Sequence, residues 1–406
     1  MTPELKGFLL ISSFKILAVF TTLQVGVMMV IWAERRVSAW KQGRLGPNRV
    51  GPAGLFQSIA DGIKNIFKEE TWPTEANRTL FLLAPIASFI PAMLTIAVVP
   101  IASPLPLSFD FTLPVFGQFA HSGPVPMIIA DLPIGLLYVL AVGSLGVYGI
   151  VLAGWSSNSK YALLGGLRAS AQMVSYEVAL GFSVVTILIL AGNVTLSEIV
   201  QVQQDSVWFI LALSLGFVLF YVSALAETNR LPFDMPESES ELITGYHTEY
   251  SSMKFSMFFI AEYTHIIVGS ALIATLFFGG WDIPFTSWDN TNPSVLKTVL
   301  TLGAFSLKTL FFIYTFIWIR WTLPRFRFDQ LMALGWKFLL PLSLSYVMVI
   351  ALTVWVLDQI DIGVSTTGGL VLFGLNLIIL FITFGVLDRG RIIKGSGYTR
   401  VGASWQ

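Results

Sequence analysis

The chain has 406 residues, 55% of them hydrophobic and only 12% charged, with Lys plus Arg equal to Asp plus Glu at 24 each. Soluble domains carry about 25% charged residues, so this composition is that of an integral membrane protein, and the zero net charge says nothing about partners. With no cysteine and three histidines (His121, His247, His265), the chain cannot hold a thiolate-bound iron–sulfur cluster and is poorly equipped for a bis-His haem. No phosphate-binding loop or dinucleotide fingerprint occurs, so any electrons involved reside on a partner.

Read in windows of about 20 apolar residues, the sequence predicts an all-α, polytopic membrane protein. It has nine transmembrane helices, at residues 8–33, 79–101, 127–153, 172–192, 207–226, 255–278, 299–319, 336–357 and 367–387, in one membrane domain spanning 1–406. The first span is too long to be a removable signal peptide and lacks the basic leader and cleavage site of one. Lys and Arg set the orientation. The loop after the first span holds Arg35, Arg36, Lys41, Arg44, Arg49, Lys64, Lys68 and Arg78, and alternation places 20 of 24 basic residues on that side. Lys6 and Lys297 lie opposite, and Lys15 and Lys308 fall inside spans. The N-terminus is therefore expected outside and the C-terminus in the cytoplasm. No internal repeat is visible, which speaks against inverted-repeat transporters. The longest loop, 34–78, is too short for a soluble domain.

That loop begins with a turn fixed by Gly46-Pro47 and Gly51-Pro52. From about 55 to 70 it becomes helical, with Leu55, Ile59, Ile63, Ile66 and Phe67 on one face and Gln57, Asp61, Lys64 and Lys68 on the others. Such a helix lies in the membrane interface, either as the lip of an opening into the bilayer or as a plain surface helix. Pro85 and Pro91 predict a kink in the second span. Gly143, Gly146 and Gly149 share one face of the third, where a neighbour can approach closely, and Asp131 lies near its outer end. Trp281, Trp288, Trp321 and Trp336 near span ends read as interface anchors.

The most informative segment is Ala226–Tyr250. Six of the 24 acidic residues (Glu227, Asp234, Glu237, Glu239, Glu241, Glu249) crowd into it. The next span carries Glu262 two turns inside, with His265 on the same face, and the fourth carries Glu177. Ionisable groups within membranes are costly and functional by default, and buried neighbouring carboxyls raise one another's pKa. A series of acids running from a membrane face into the membrane is what proton handling requires. The structural alternative is a set of protonated carboxyls in packing hydrogen bonds. For a lone histidine such as His265, packing competes with a relay role, while His247 can titrate with the loop. Arg35, Arg36, Arg44, Arg49, Arg230, Arg320, Arg325 and Arg327 either set topology and meet lipid head groups or pair with these acids.

The strings ERRVSAWKQGRLGPNRVGP, ADGIKNIFKEE, GWSSNSKYALLGGLRASAQMVSYE, AETNRLPFDMPESESELITGYHTEYSSMKF, AEY and LPRFRFDQLM occur in this order between about Glu34 and Tyr346. In them the chain resembles the family of the H subunit of proton-translocating NADH–quinone oxidoreductase and its counterpart, subunit 1 of mitochondrial respiratory complex I. The resemblance implies a bacterial inner-membrane subunit that anchors the redox arm and forms much of the membrane side of the quinone chamber. It implies a funnel of carboxylates at Glu177, Glu227, Glu237, Glu239, Glu241, Glu249 and Glu262, and a quinone path near Arg35, Arg36, Asp61 and Arg230, with looser matches at Phe233 and Arg325. Quinone would be a substrate at an interface, with FMN and iron–sulfur clusters on partner subunits. The expected partners are the subunits of the quinone site and terminal cluster on the cytoplasmic side, the small and antiporter-like membrane subunits, and lipid, with no nucleic acid. Two other readings are the membrane anchor of an energy-converting hydrogenase, against which the GPNRVGP and ETNRLPFD strings speak, and a stand-alone ion transporter or channel.

Overall fold

A computed structural model describes residues 2–113, 117–284, 286, 288, 293–360 and 366–388. The helices in chain order are α1 (Pro3–Lys41), α2 (Gln57–Phe67), α3 (Arg78–Leu94), α4 (Gly135–Ser156), α5 (Lys160–Ala191), α6 (Leu196–Asp205), α7 (Phe209–Ala212), α8 (Ser214–Glu227), α9 (Glu239–Leu242), α10 (Ser252–Phe277), α11 (Val295–Arg320), α12 (Phe328–Ala333), α13 (Leu340–Gln359) and α14 (Thr366–Asp388). Seven helical stretches among the described residues are long and apolar enough to cross a membrane, with α8 and α14 as shorter apolar helices. The chain is thus a mostly helical, multi-pass membrane protein. The expected cytoplasmic C-terminal tail lies outside the described residues.

The helices pack around α5, which touches α4, α8 and α13, while α10 joins α3, α11 and α1. Pro85 and Pro91 both lie inside α3, which ends in a 3₁₀ turn, Thr95–Val98. The α4 glycines do what their spacing predicts at Gly149, where a Cβ would collide with Ser88 of α3. At Gly143 and Gly146 a Cβ would meet Glu227 Oε1 at 3.4 Å and His265 Nε2 at 3.7 Å, ordinary contact distances, so these positions adjoin the two side chains without requiring glycine.

Several sequence expectations need correction. The chain is not purely helical: β1 (Ala102–Pro106) pairs antiparallel with β4 (Pro124–Met127), and β2 (Phe109–Leu113) with β3 (Gly117–His121). Phe109 faces His121 and Phe111 faces Phe119 across the second ladder, with the latter rings stacked at 5.5 Å. That period-two pattern of aromatic residues is a strand signal which a 20-residue hydropathy window averages away. Strand β4 takes residues 124–127, so α4 begins at Gly135 rather than 127. Asp131 therefore precedes the helix, where it accepts a hydrogen bond from Ser197 Oγ at 2.6 Å. α5 starts at Lys160, before the expected 172, because Leu163, Leu164 and Leu167 sustain helix through a stretch too polar for a span window. The fifth apolar stretch is broken at Leu213 (φ −128°, ψ 45°) into α7 and α8. Trp281 is buried rather than an exposed anchor, whereas Trp288, Trp321 and Trp336 are exposed.

One cation in an apolar helix is bound by backbone carbonyls. Lys308 Nζ of α11 donates to the carbonyls of Phe278 (2.6 Å), Gly280 (3.0 Å) and Asp282 (2.6 Å). These carbonyls lie just past the C-terminal end of α10, where helices leave acceptors unpaired and favour a cation. Replacing Lys308 with Met should cost about 3 kcal/mol, since each orphaned buried acceptor costs about 1–3 kcal/mol. The check is a lowered midpoint in thermal denaturation of the assembled protein, with quinone affinity unchanged.

Candidate functional site

The acidic segment forms a folded loop packed against α5, between the end of α8 and the start of α10. Gln172 of α5 fastens it, donating to Ala226 O (2.7 Å), Phe233 O (2.7 Å) and Asn229 Oδ1 (3.2 Å). Phe233 is buried between Tyr176 and Phe326, with ring centroids at 5.3 and 5.6 Å. Gly245 adopts φ +61°, and a Cβ there would overlap the Pro236 carbonyl, so this turn requires glycine. With its backbone held, the loop can carry charged side chains inward.

Arg230 is the hub. It is buried, with Nη2 3.1 Å from Glu262 Oε2 and its guanidinium 4.4 Å from the Tyr263 ring and 5.8 Å from Phe259. Glu262 accepts from Tyr246 Oη at 3.1 Å. Burial opposes the Arg230 charge, but Tyr263, Glu262, Glu34 and Glu237 outweigh it and raise its pKa, leaving a fixed cation. Burial, then Glu262 and Glu237, push the Tyr246 hydroxyl well above its ordinary range, so it stays a donor.

Three further pairs surround the hub. Glu34, at the end of α1, is buried, pairs with Arg320 and accepts from Tyr263 Oη at 2.7 Å. Glu237 stands 3.7 Å from His247 Nε2, an ion-pair distance too long for a hydrogen bond. Burial alone would push Glu237 up, but His247, Arg230 and Arg320 outweigh it and hold the carboxyl low. Asp234 is bonded to Arg325 at 2.8 Å, yet burial and Glu237 lift its pKa to about 6 against that cation. Glu237 and His247 also line a cavity of about 470 Å³ between α2 and the start of α10, with Lys64 and Lys68 on its rim.

Toward the helix bundle the acids continue. Glu227 ends α8 and lines two adjoining cavities of about 40 and 20 Å³, sharing both with Thr228 and His265. Glu262 lines the smaller. A water needs about 10–15 Å³ measured in this way, so the first has room for two or three waters and the second for one. Glu177 of α5 accepts from Ser144 Oγ of α4.

At the other end, Arg35 forms an ion pair with Asp61 of α2. Burial pushes the Asp61 carboxyl up, but Arg35 outweighs it and holds it below the usual range. Arg36 leans on Trp32 (5.9 Å) and lines a surface recess with Trp40 and Arg44. The apolar face of α2 is exposed at Ile59, Ile63, Ile66 and Phe67.

Arg230, Glu237 and Glu262 are thus brought together, and Glu227 meets Glu262 through a cavity. Glu241 instead pairs with Arg168 at 2.5 Å on the rim. Glu249 has no ion pair among the described residues. Glu239 belongs to the backbone of α9, but its side chain lies outside the described residues. Sequence reasoning missed Glu34, Tyr246 and Tyr263. Glu34 precedes Arg35 and Arg36, and a carboxylate beside two arginines at a span end reads as part of a topology signal. The two tyrosines gave no sign of which carboxylates they would face.

The sequence matches the NADH dehydrogenase family over residues 14–351. It is 48% identical over 353 residues to the second H subunit of NADH-quinone oxidoreductase from Koribacter versatilis, covering 86% of this chain and 98% of the relative. NADH-quinone oxidoreductase subunit 8 of Rhodothermus marinus is 48% identical over 80% and 92%. NADH-ubiquinone oxidoreductase chain 1 of Chondrus crispus is 46% identical over 85% and 97%. With this identity along nearly the whole length of its relatives, the chain belongs to the NADH dehydrogenase family of complex I membrane subunits, called the H subunit in bacteria.

Proposed function

We propose that this subunit forms the membrane side of a quinone-access chamber and couples quinone reduction to ion translocation through its carboxylates, in a complex I of the inner membrane. Nine spans, an outside N-terminus and a cytoplasmic C-terminus complete the reading, with α8 and α14 counted as the short spans. Quinone enters between α1, α10 and the interfacial helix α2, along Arg35, Arg36, Asp61, Arg230, Phe233 and Arg325. FMN and iron–sulfur clusters belong to partner subunits docked on the cytoplasmic loops, and small and antiporter-like membrane subunits continue the path.

The observation that carries this reading is continuity. Acids at Asp234, Glu237 and Glu262 are coupled through Arg230 and its neighbours, and Glu262 is joined to Glu227 by a cavity large enough for one water. Reducing a quinone takes two electrons and two protons, which changes the charge next to this series. Fixed cations beside carboxylates convert that change into shifts of protonation, and the shift passes inward from Glu262 to Glu227 and Glu177.

Two experiments test this. Glu227→Gln and Glu262→Gln should each leave assembly intact and lower quinone reduction and ion translocation together. Because both residues line one cavity, the double variant should be strongly non-additive; simple additivity would show that they titrate independently. The second concerns Asp234. Its raised pKa means that the folded state binds a proton more tightly than the unfolded state. The stability linked to that proton is full below about pH 4 and is lost as pH rises through about 6. Quinone reduction in membranes should show a step near pH 6 that vanishes in Asp234→Asn, measured as turnover from about pH 5 to 8.

A further inference from the structure

The break between α7 and α8 lies in an apolar stretch, where irregular backbone survives only if other groups satisfy it. The partner that does so comes from α14. Asn376 Nδ2 donates to Ala212 O at 2.8 Å, and Oδ1 accepts from Leu215 N–H at 3.2 Å and from Tyr346 Oη at 2.7 Å. One carbonyl before the break and one N–H group after it are therefore closed by a single amide, which a single phenol holds in turn, both essentially without exposure. The family match ends at residue 351, before α14 begins at Thr366, so Ala212, Leu215 and Tyr346 fall within it and Asn376 does not.

The broken end of α8 is seated on Asn376, and the other end of α8 is Glu227. Over 14 residues the helix spans about 21 Å at 1.5 Å per residue. A rigid helix held at one end fixes the depth of the residue at the other, and at Glu227 the tolerance is small, with cavities of only 40 and 20 Å³. We infer that Asn376 is a positioning residue for Glu227: the C-terminal helix seats the discontinuity of the fifth apolar stretch and thereby sets how deep that carboxylate stands in its water-sized cavities. The inference rests on the role proposed for Glu227, but its structural half stands apart from that role.

The test uses the assembled complex in membrane vesicles. Asn376→Leu keeps the approximate volume and removes donor and acceptor together. Nitroxide-bearing non-natural residues introduced in place of Val218 in α8 and Leu145 in α4, both exposed positions, report the register of α8 whatever the activity and without labelling the cysteines of partner subunits. The expected result is a label distance displaced by about 1.5 Å, one residue's rise, or a broadened distribution. Quinone reduction and ion translocation should fall together, by about threefold or more, with a shifted pH profile and no further loss when Glu227→Gln is added. Tyr346→Phe, which removes one hydrogen bond, should move the same readouts less, and it decides the matter if Asn376→Leu fails to assemble. An unchanged label distance overturns the inference. A displaced α8 with quinone reduction, ion translocation and pH profile intact leaves the seat standing and overturns the role of Glu227.

Discussion

Everything in the polar half of this subunit depends on one buried cation. Arg230 lies within the influence of Glu34, Glu237 and Glu262, and without it three acids would share a low-dielectric region with too little positive charge. Removing one partner from such a pair is far more damaging than replacing both, because the remaining charge is buried and unpaired. The surroundings are built to hold the guanidinium: Tyr263 and Phe259 supply aromatic faces. The neighbouring Asn229 caps the turn with a left-handed backbone (φ 52°) and accepts from Gln172. The loop's path, turned by Pro232, Pro236 and Gly245, is thus the scaffold of a charge and not a spacer.

This also explains why the loop acids differ. Glu237 is held low because His247, Arg230 and Arg320 all face it, whereas Asp234, with the single direct partner Arg325, is lifted to about 6 by burial and by Glu237 itself. Two carboxylates three residues apart are thereby poised differently. Pairs of titratable groups pushed apart in this manner are what acid–base relays use.

The helical fold was legible because long apolar stretches admit no other backbone in a bilayer, and the acids at Glu177, Glu227 and Glu262 were legible because charge in such a stretch is rare. What was not legible is long-range or short-period. The hairpins at 102–127 were averaged away. The break at Leu213 has no Gly or Pro to announce it. The pairing of Glu34 with Tyr263 joins residues 229 positions apart, and nothing local to either predicts it. Lys308 was placed inside a span, but the three backbone carbonyls it serves lie 26 to 30 positions away; spotting an intramembrane charge from sequence says that it is expensive, not what it does.

The chain offers no thiolate for a cluster, so within the proposed reading its contribution to energy conversion is electrostatic. Two unit charges 4 Å apart interact by about 4 kcal/mol at an effective dielectric of 20. The direct contact between Arg230 and Glu262 falls within that distance, while Glu262 and Glu227 meet across space for one water. Charge can therefore be felt at once within the hub but must be relayed by a proton beyond it. A carboxylate separated by a single water is sensitive to small changes in position, which ordinary packing tolerates and proton transfer does not. That sensitivity gives a physical reason for seating the far end of α8 on hydrogen bonds instead of on apolar contact alone.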